Sequence, residues 1–180
     1  MTFNVQNIIS SLSKQGFART SHFEVQMTGP YGLDAERDML YRADTAALPG
    51  RSITTVDTKF TNYGPMNKVP YGQVYGDATV TFLLSEDMRE KEYFEIWQDK
   101  MVGTGAFTQS QSRFSNATFN TKYFDQYAGI VTVRQYGAGG ELRSIHSLVE
   151  AYPIMMGEIQ MGWGDDSPAK LAVTFAYRYY

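Results

Sequence analysis

Histidine and cysteine carry much of the metal-binding and nucleophilic chemistry of proteins, and this chain has two of the first and none of the second. His22 and His146 both fall in stretches that read as strands, each on the face opposite the apolar residues. Carboxylates would have to complete any metal site they formed. Asp34-Ala35-Glu36-Arg37-Asp38 imitates the first half of a calcium loop. Its sixth position, where such a loop turns sharply on glycine, is Met39, and no glutamate stands at the twelfth. The segment reads as a solvated acidic loop. Asp165 and Asp166 are adjacent, so in a strand they would point to opposite faces; a turn closed by an Asx-type hydrogen bond suits them better. Gly137-Ala138-Gly139-Gly140 lacks the third glycine of a dinucleotide fingerprint, because that position is Leu142 and no helix follows. Phosphate-loop, nucleophile-elbow and HExxH motifs are absent. The sequence therefore predicts no enzyme, no cofactor and no metal.

The elements that would position any site are mostly strands. Residues 3–14 carry Val5, Ile8, Ile9 and Leu12 at helical spacing and predict a short N-terminal helix ended by Gly16. Residues 21–28 alternate, with Phe23, Val25 and Met27 on one face. A second strand is expected around Met39 to Ala46, broken by Leu48-Pro49-Gly50. Residues 52–61 are β-branched with neither face clearly apolar, so this strand is not expected in a protomer's core. Residues 62–72 contain Asn62, Gly64, Pro65, Pro70 and Gly72 and read as a loop, and residues 73–84 as one strand. The strongest helix spans about residues 86–101, with Ser85 as N-cap, Glu86 and Asp87 in the first turn, and Phe94, Trp97 and Met101 at helical spacing. Residues 104–128 show no clear period and read as a long loop with room for one short strand. Strands follow at 130–136, 141–151 and 158–163, the last two separated by Pro153. The final strand is the cleanest: Leu171, Val173, Phe175, Tyr177 and Tyr179 share a face.

The expected fold is mainly β, an antiparallel sandwich or barrel with one substantial flanking helix, in a single domain over residues 1–180. The aromatic share of 14%, with 13 Tyr and 11 Phe, and the 9 Met suit pleated surfaces and protein–protein contacts. A net charge of −3 argues against a surface built to hold phosphates. No stretch reaches the ~20 apolar residues of a membrane span. An antiparallel domain leaves sheet edges that must be covered or paired, and pairing between identical copies is the expected solution.

Several segments resemble the tail tube proteins of contractile-tailed (T4-like) bacteriophages. Gly16-Phe17-Ala18-Arg19 running into Phe23-Glu24-Val25 is similar to that family's "FARP…F-x-V" start. Ala46-Ala47-Leu48-Pro49-Gly50 resembles its "ATALPG" corner, and Val133-Arg134-Gln135-Tyr136 its "IVRQY" segment. Gly157 to Trp163, with the final strand to Tyr180, resembles the "GELQLDW…VTLALDY" ending. The segments occur in the family's order over most of the chain; residues 28–38 and 104–128 are longer than the family pattern.

The resemblance implies a structural virion protein with the tail-tube fold. Six protomers would close into a ring, and rings would stack into the hollow inner tube through which DNA leaves the virion. The implied partners are further copies of the chain, the tail sheath protein, and baseplate and tail terminator proteins, with assembly in the host cytoplasm. DNA would pass without sequence-specific binding, and no membrane is involved. Residues 52–61 and one face of 73–84 would line the lumen. The 48–72 region would stack rings, through Arg51, Lys59, Phe60, Asn62, Tyr63 and Asn67. Three other readings stand beside it: a baseplate tube initiator of the same fold, the tube of a bacterial contractile injection or secretion system, and, from another class, a carbohydrate-binding β-sandwich.

Overall fold

The computed structural model describes residues 5–6, 9–10, 20–30, 33, 37–59, 64–102, 121–164 and 167–180. Of the helix expected over 3–14, Val5, Gln6, Ile9 and Ser10 are helical and the remainder lies outside the described residues. So do most of the acidic loop and the Asp165-Asp166 pair.

Six strands form one antiparallel sheet in the order β1 (Phe23–Thr28), β6 (Gly129–Tyr136), β7 (Leu142–Met156), β8 (Lys170–Ala176), β5 (Ala78–Leu83), β2 (Ala43–Ala46). The alternation of the sequence dictates which face each strand buries. Val25 and Met27 of β1 meet Val131 and Val133 of β6; Val80 and Phe82 of β5 meet Leu171, Val173 and Phe175 of β8. Both sets point to one core.

The sheet folds over because β7 changes partner. Its first part pairs with β6 up to Ala151, and its last part, from Tyr152 on, pairs with β8. At the change, Glu150 is an extra residue between the Ile130–Val149 and Gly129–Ala151 pairs, held at φ 56°. A bulge of this kind bends a strand and resets which face its residues take. Leu148 and Ala151 therefore both point inward. His146 shares the inward side with Leu148, opposite Val133, which corrects the expectation that it lies away from the apolar face. Pro153 does not end the strand, since it lies beside a second irregularity, between Pro153 and Met155, where proline is tolerated. The separate strand expected at 158–163 is not formed; Met161 and Trp163 stand in solvent there.

Helix α1 (Arg89–Val102) packs Tyr93, Phe94 and Trp97 into the core between the two halves of the sheet. Phe94 lies against Phe82 and Phe175, with ring centroids 5.3 and 6.0 Å apart, and the Trp97 indole donates to the Tyr127 carbonyl at 2.8 Å. That carbonyl belongs to a short helix, α2 (Phe124–Tyr127), so the described end of the expected 104–128 loop is helical. Gly129 follows because nothing larger fits: a Cβ there would sit 2.4 Å from the Thr28 carbonyl oxygen and under 3 Å from two indole carbons.

The start of α1 also differs from expectation. Glu86 and Asp87 occupy a turn ahead of the helix, Met88 takes φ 52°, and Glu90 and Glu92 fill the first helical turn. Glu90 is 2% exposed. Its carboxylate accepts hydrogen bonds from the Ser85 N–H at 2.9 Å, the Ser85 hydroxyl at 2.8 Å and the Arg42 guanidinium at 2.8 Å. It ties the helix to the 3₁₀ turn Arg37–Tyr41 and β2, where a longer strand from Met39 had been expected; Met39 is buried in that turn. Burial alone would raise the Glu90 pKa, but the Ser85 bonds, its own backbone N–H and the Arg42 charge outweigh it and hold the carboxyl below its ordinary value. A depressed carboxyl stabilises the fold above the unfolded pKa of about 4.3, and that contribution is lost as pH falls through the folded value. Glu90→Gln is expected to cost about 1–3 kcal/mol at pH 7. The gap between variant and parent in urea midpoint should narrow at pH 3, which denaturation at both pH values measures.

Candidate assembly surface

Two strands leave the barrel. β3 (Arg51–Thr58) and β4 (Asn67–Tyr75) pair only with each other, antiparallel, from Arg51–Tyr75 at the root to Thr58–Asn67 at the far end. Sequence reasoning placed residues 67–72 in a loop and 73–84 in one strand. In the structure β4 begins at Asn67, and Gly76-Asp77 divides it from β5. Pro70 and Gly72 were read as breakers, but they lie beside a bulge where Tyr71 has no opposite residue. Proline and glycine are at home in such a place on an edge strand.

An isolated two-stranded hairpin is marginal in water. This one exposes apolar groups all along its length: Ile53 is 57% exposed, Val56 45%, Val69 48%, Tyr71 68% and Val74 54%. Alternation sorts them. Ser52, Thr54, Val56 and Thr58 share a face with their partners Val74, Gly72, Val69 and Asn67, and that face has no charge. The other face holds Arg51, Asp57 and Lys68, the last two directly opposite one another. An uncharged, β-branched face left in solvent is the composition of a contact core, with the charged face as its rim.

Of the residues singled out from sequence, Arg51 and Asn67 stand at opposite ends of the ladder, roughly 25 Å apart at about 3.3 Å per residue. Lys59 follows β3 and is exposed. Phe60, Asn62 and Tyr63 lie outside the described residues. The structure thus spreads these positions along a hairpin. Val56, Val69 and Val74 were missed, although their β-branched character was the available signal.

At the root, Gly76 N–H donates to the Gly50 carbonyl at 3.1 Å, and the Tyr177 hydroxyl to the Gly76 carbonyl at 2.6 Å. Burial, then Tyr180, Asp77 and Tyr75, push the Tyr177 phenol above the ordinary tyrosine range, so it stays a donor. Elsewhere, β1 and β2 are the edges of the six-stranded sheet and flank a cleft of about 530 Å³ lined by Phe23, Thr45, Leu48, Val133, Gln135 and His146. His22, exposed before β1, lies 3.4 Å from the Gly137 carbonyl through Nδ1, and His146 Nε2 is 2.8 Å from the Ser144 hydroxyl. Among the described residues no group of three or more His, Cys, Asp or Glu is placed to hold a metal.

The phage tail tube protein family matches residues 18–180. The chain belongs to that family. This tail tube protein is a structural component of a phage tail or phage-like particle. Its fold is also similar to that of chains in solved contractile systems. One is from the sheath–tube complex of the PVC extracellular contractile injection system in its extended state, with a TM-score of 0.60 and 11% identity, covering 97% of this chain and 93% of that one. Another is from the sixfold-symmetrised anti-feeding prophage baseplate, with a TM-score of 0.58 and 9% identity over 91% and 93%. A third is from the PVC sheath/tube terminator, with a TM-score of 0.57 and 12% identity over 91% and 94%. A search of curated proteins by sequence finds no match.

Proposed function

We propose that six copies of this tail tube protein, each a single domain over residues 1–180, close into a ring, and that rings stack into the inner tube of a contractile phage tail. The observation that carries this is the β3–β4 hairpin, a two-stranded element that pairs with no other strand and whose apolar side chains are uncovered on the protomer. Neighbouring copies supply the cover. The Val56–Val69 face forms the centre of the copy–copy contact, to which Arg51, Lys59, Phe60, Asn62, Tyr63 and Asn67 also contribute. Free edges on β1 and β2 pair around the ring, which removes them from solvent.

The solved complexes of similar fold contain a sheath, a baseplate and a terminator. The tube proposed here engages proteins of the same three kinds and is assembled in the host cytoplasm. DNA leaves through its lumen without sequence-specific binding, in keeping with a net charge of −3.

Negative-stain electron microscopy with mass measurement in solution tests the proposal. Hollow stacked tubes support it; single rings that never stack favour a baseplate initiator; a strict monomer, even with a baseplate seed, overturns it. Arg51→Glu should slow tube growth roughly tenfold and make it strongly salt-dependent, because a rim charge acts mainly on encounter. The melting temperature of the protomer should not move. Growth at the parental rate, followed by light scattering, would remove Arg51 from the contact.

A further inference from the structure

The hairpin leaves the barrel through two short glycine-containing connections, Ala47-Leu48-Pro49-Gly50 and Gly76-Asp77. The contacts at its root come from the far end of the sequence. After β8 the chain turns across the sheet: Arg178 N–H donates to the Val149 carbonyl at 3.1 Å, and Val149 N–H to the Tyr179 carbonyl at 2.9 Å. Arg178 is also paired with Glu150 at the bulge of β7, at 3.1 Å. This docking delivers two rings to the hairpin root. Tyr177 lies 5.9 Å from Tyr75 between ring centroids, Tyr180 lies 5.3 Å from Tyr75 in an edge-on arrangement, and Tyr177 and Tyr180 are 6.1 Å apart. His146 backs Tyr180 at 6.5 Å. Among the described residues, Tyr75 carries the ring contacts that join the hairpin to the barrel.

We infer that Tyr177 and Tyr180 clamp Tyr75 and Gly76, and that this clamp sets the angle at which the hairpin projects toward neighbouring copies. The geometry shows why an angle must be set. Over a hairpin of roughly 25 Å, a swing of about 10° at the root moves the tip by about 4 Å, close to the 4.8 Å spacing of neighbouring strands. An unclamped hairpin would miss its register in the next copy, or would lose on docking the freedom the clamp has already removed. Each of the three rings holds the other two, and offset or edge-on aromatic contacts of this kind favour one geometry over a smear. The inference rests on the hairpin being the assembly element, but the clamp itself can be measured without assembly.

The chain has no cysteine, so Asp87→Cys and Lys68→Cys give two clean positions for nitroxide labels, one beside the barrel and one on the hairpin. Pulsed electron resonance then reads the barrel–hairpin distance. The parent should give one narrow distribution. Tyr177→Phe with Tyr180→Ala, which removes the hydrogen bond and one ring, should broaden it at least about twofold. Tyr180→Phe, which keeps the ring, should restore the parental width in an otherwise native chain. If the double variant melts early, Tyr180→Ala alone is the variant to read. A parental width in the clamp variants overturns the inference, whatever happens to assembly. Broadening together with loss of tubes supports it. Broadening with unchanged tubes supports the clamp and instead removes the hairpin from assembly.

Discussion

Trp97→Ala is expected to cost about 3–5 kcal/mol of stability. The indole is fully buried, so the substitution leaves a cavity in a core that is otherwise close-packed. It also removes ring contacts with Tyr93 at 5.9 Å and Phe175 at 6.3 Å. The part-buried Tyr127 carbonyl also loses the donor that reaches it at 2.8 Å, which adds to the cost. Collapse relieves such a cavity only in part, and one wall here is the backbone at Gly129, where an added Cβ would lie under 3 Å from two indole carbons. Trp97→Phe separates the two parts. It keeps most of the volume and forfeits the hydrogen bond, and should cost about 1–3 kcal/mol. Urea denaturation with an unchanged m-value measures both. A loss below about 2 kcal/mol for the alanine variant would show that helix α1 is packed beside the core and is not part of it.

The same helix shows what kind of order is legible in a sequence. Tyr93, Phe94 and Trp97 repeat with the helical period over enough residues for the pattern to outvote local exceptions. β1 and β8 are legible for the same reason, with period two. β7 is not, because one bulged residue, Glu150, reverses the parity of everything after it. Read without the bulge, Ile145, Val149 and Ala151 form the apolar face, and His146 points away from the core. With the bulge, Leu148 and Ala151 point inward and His146 goes with them. No single-residue preference announces a bulge at a glutamate. The start of α1 was misread by a few residues because Ser85 binds the side chain of Glu90, so the acidic residues nearest to Ser85 lie outside the helix.

The candidate surface was half legible. Residues 52–61 were read as a strand outside the protomer's core, and β3 is exposed along its length. What escaped was the partner strand, since Pro70 and Gly72 carry loop signals that hold only where a strand has neighbours on both edges. The missing half matters, because pairing places Val56 against Val69 and so creates an uncharged face that neither strand has alone.

That face supports the prediction with the largest effect on function. Val56→Glu is expected to abolish tube formation at concentrations where the parent assembles, raising the concentration needed by about a hundredfold or more. A carboxylate at the centre of a contact must be desolvated without a partner, since Val69 opposite it offers no hydrogen bond, and each 1.4 kcal/mol of that cost is a factor of ten. The protomer should be indifferent. Val56 is nearly half exposed and lies outside the buried core cluster, so the unfolding free energy from urea denaturation should stay within about 0.5 kcal/mol of the parent. Arg51→Glu changes a charge on the opposite face and should act more weakly, through rate and salt dependence. Ranking the two by light scattering at low and high salt therefore tests the division of the hairpin into core and rim. If Val56→Glu assembles as the parent does while Arg51→Glu fails, the charged face is the one buried between copies, and the valine face looks onto water.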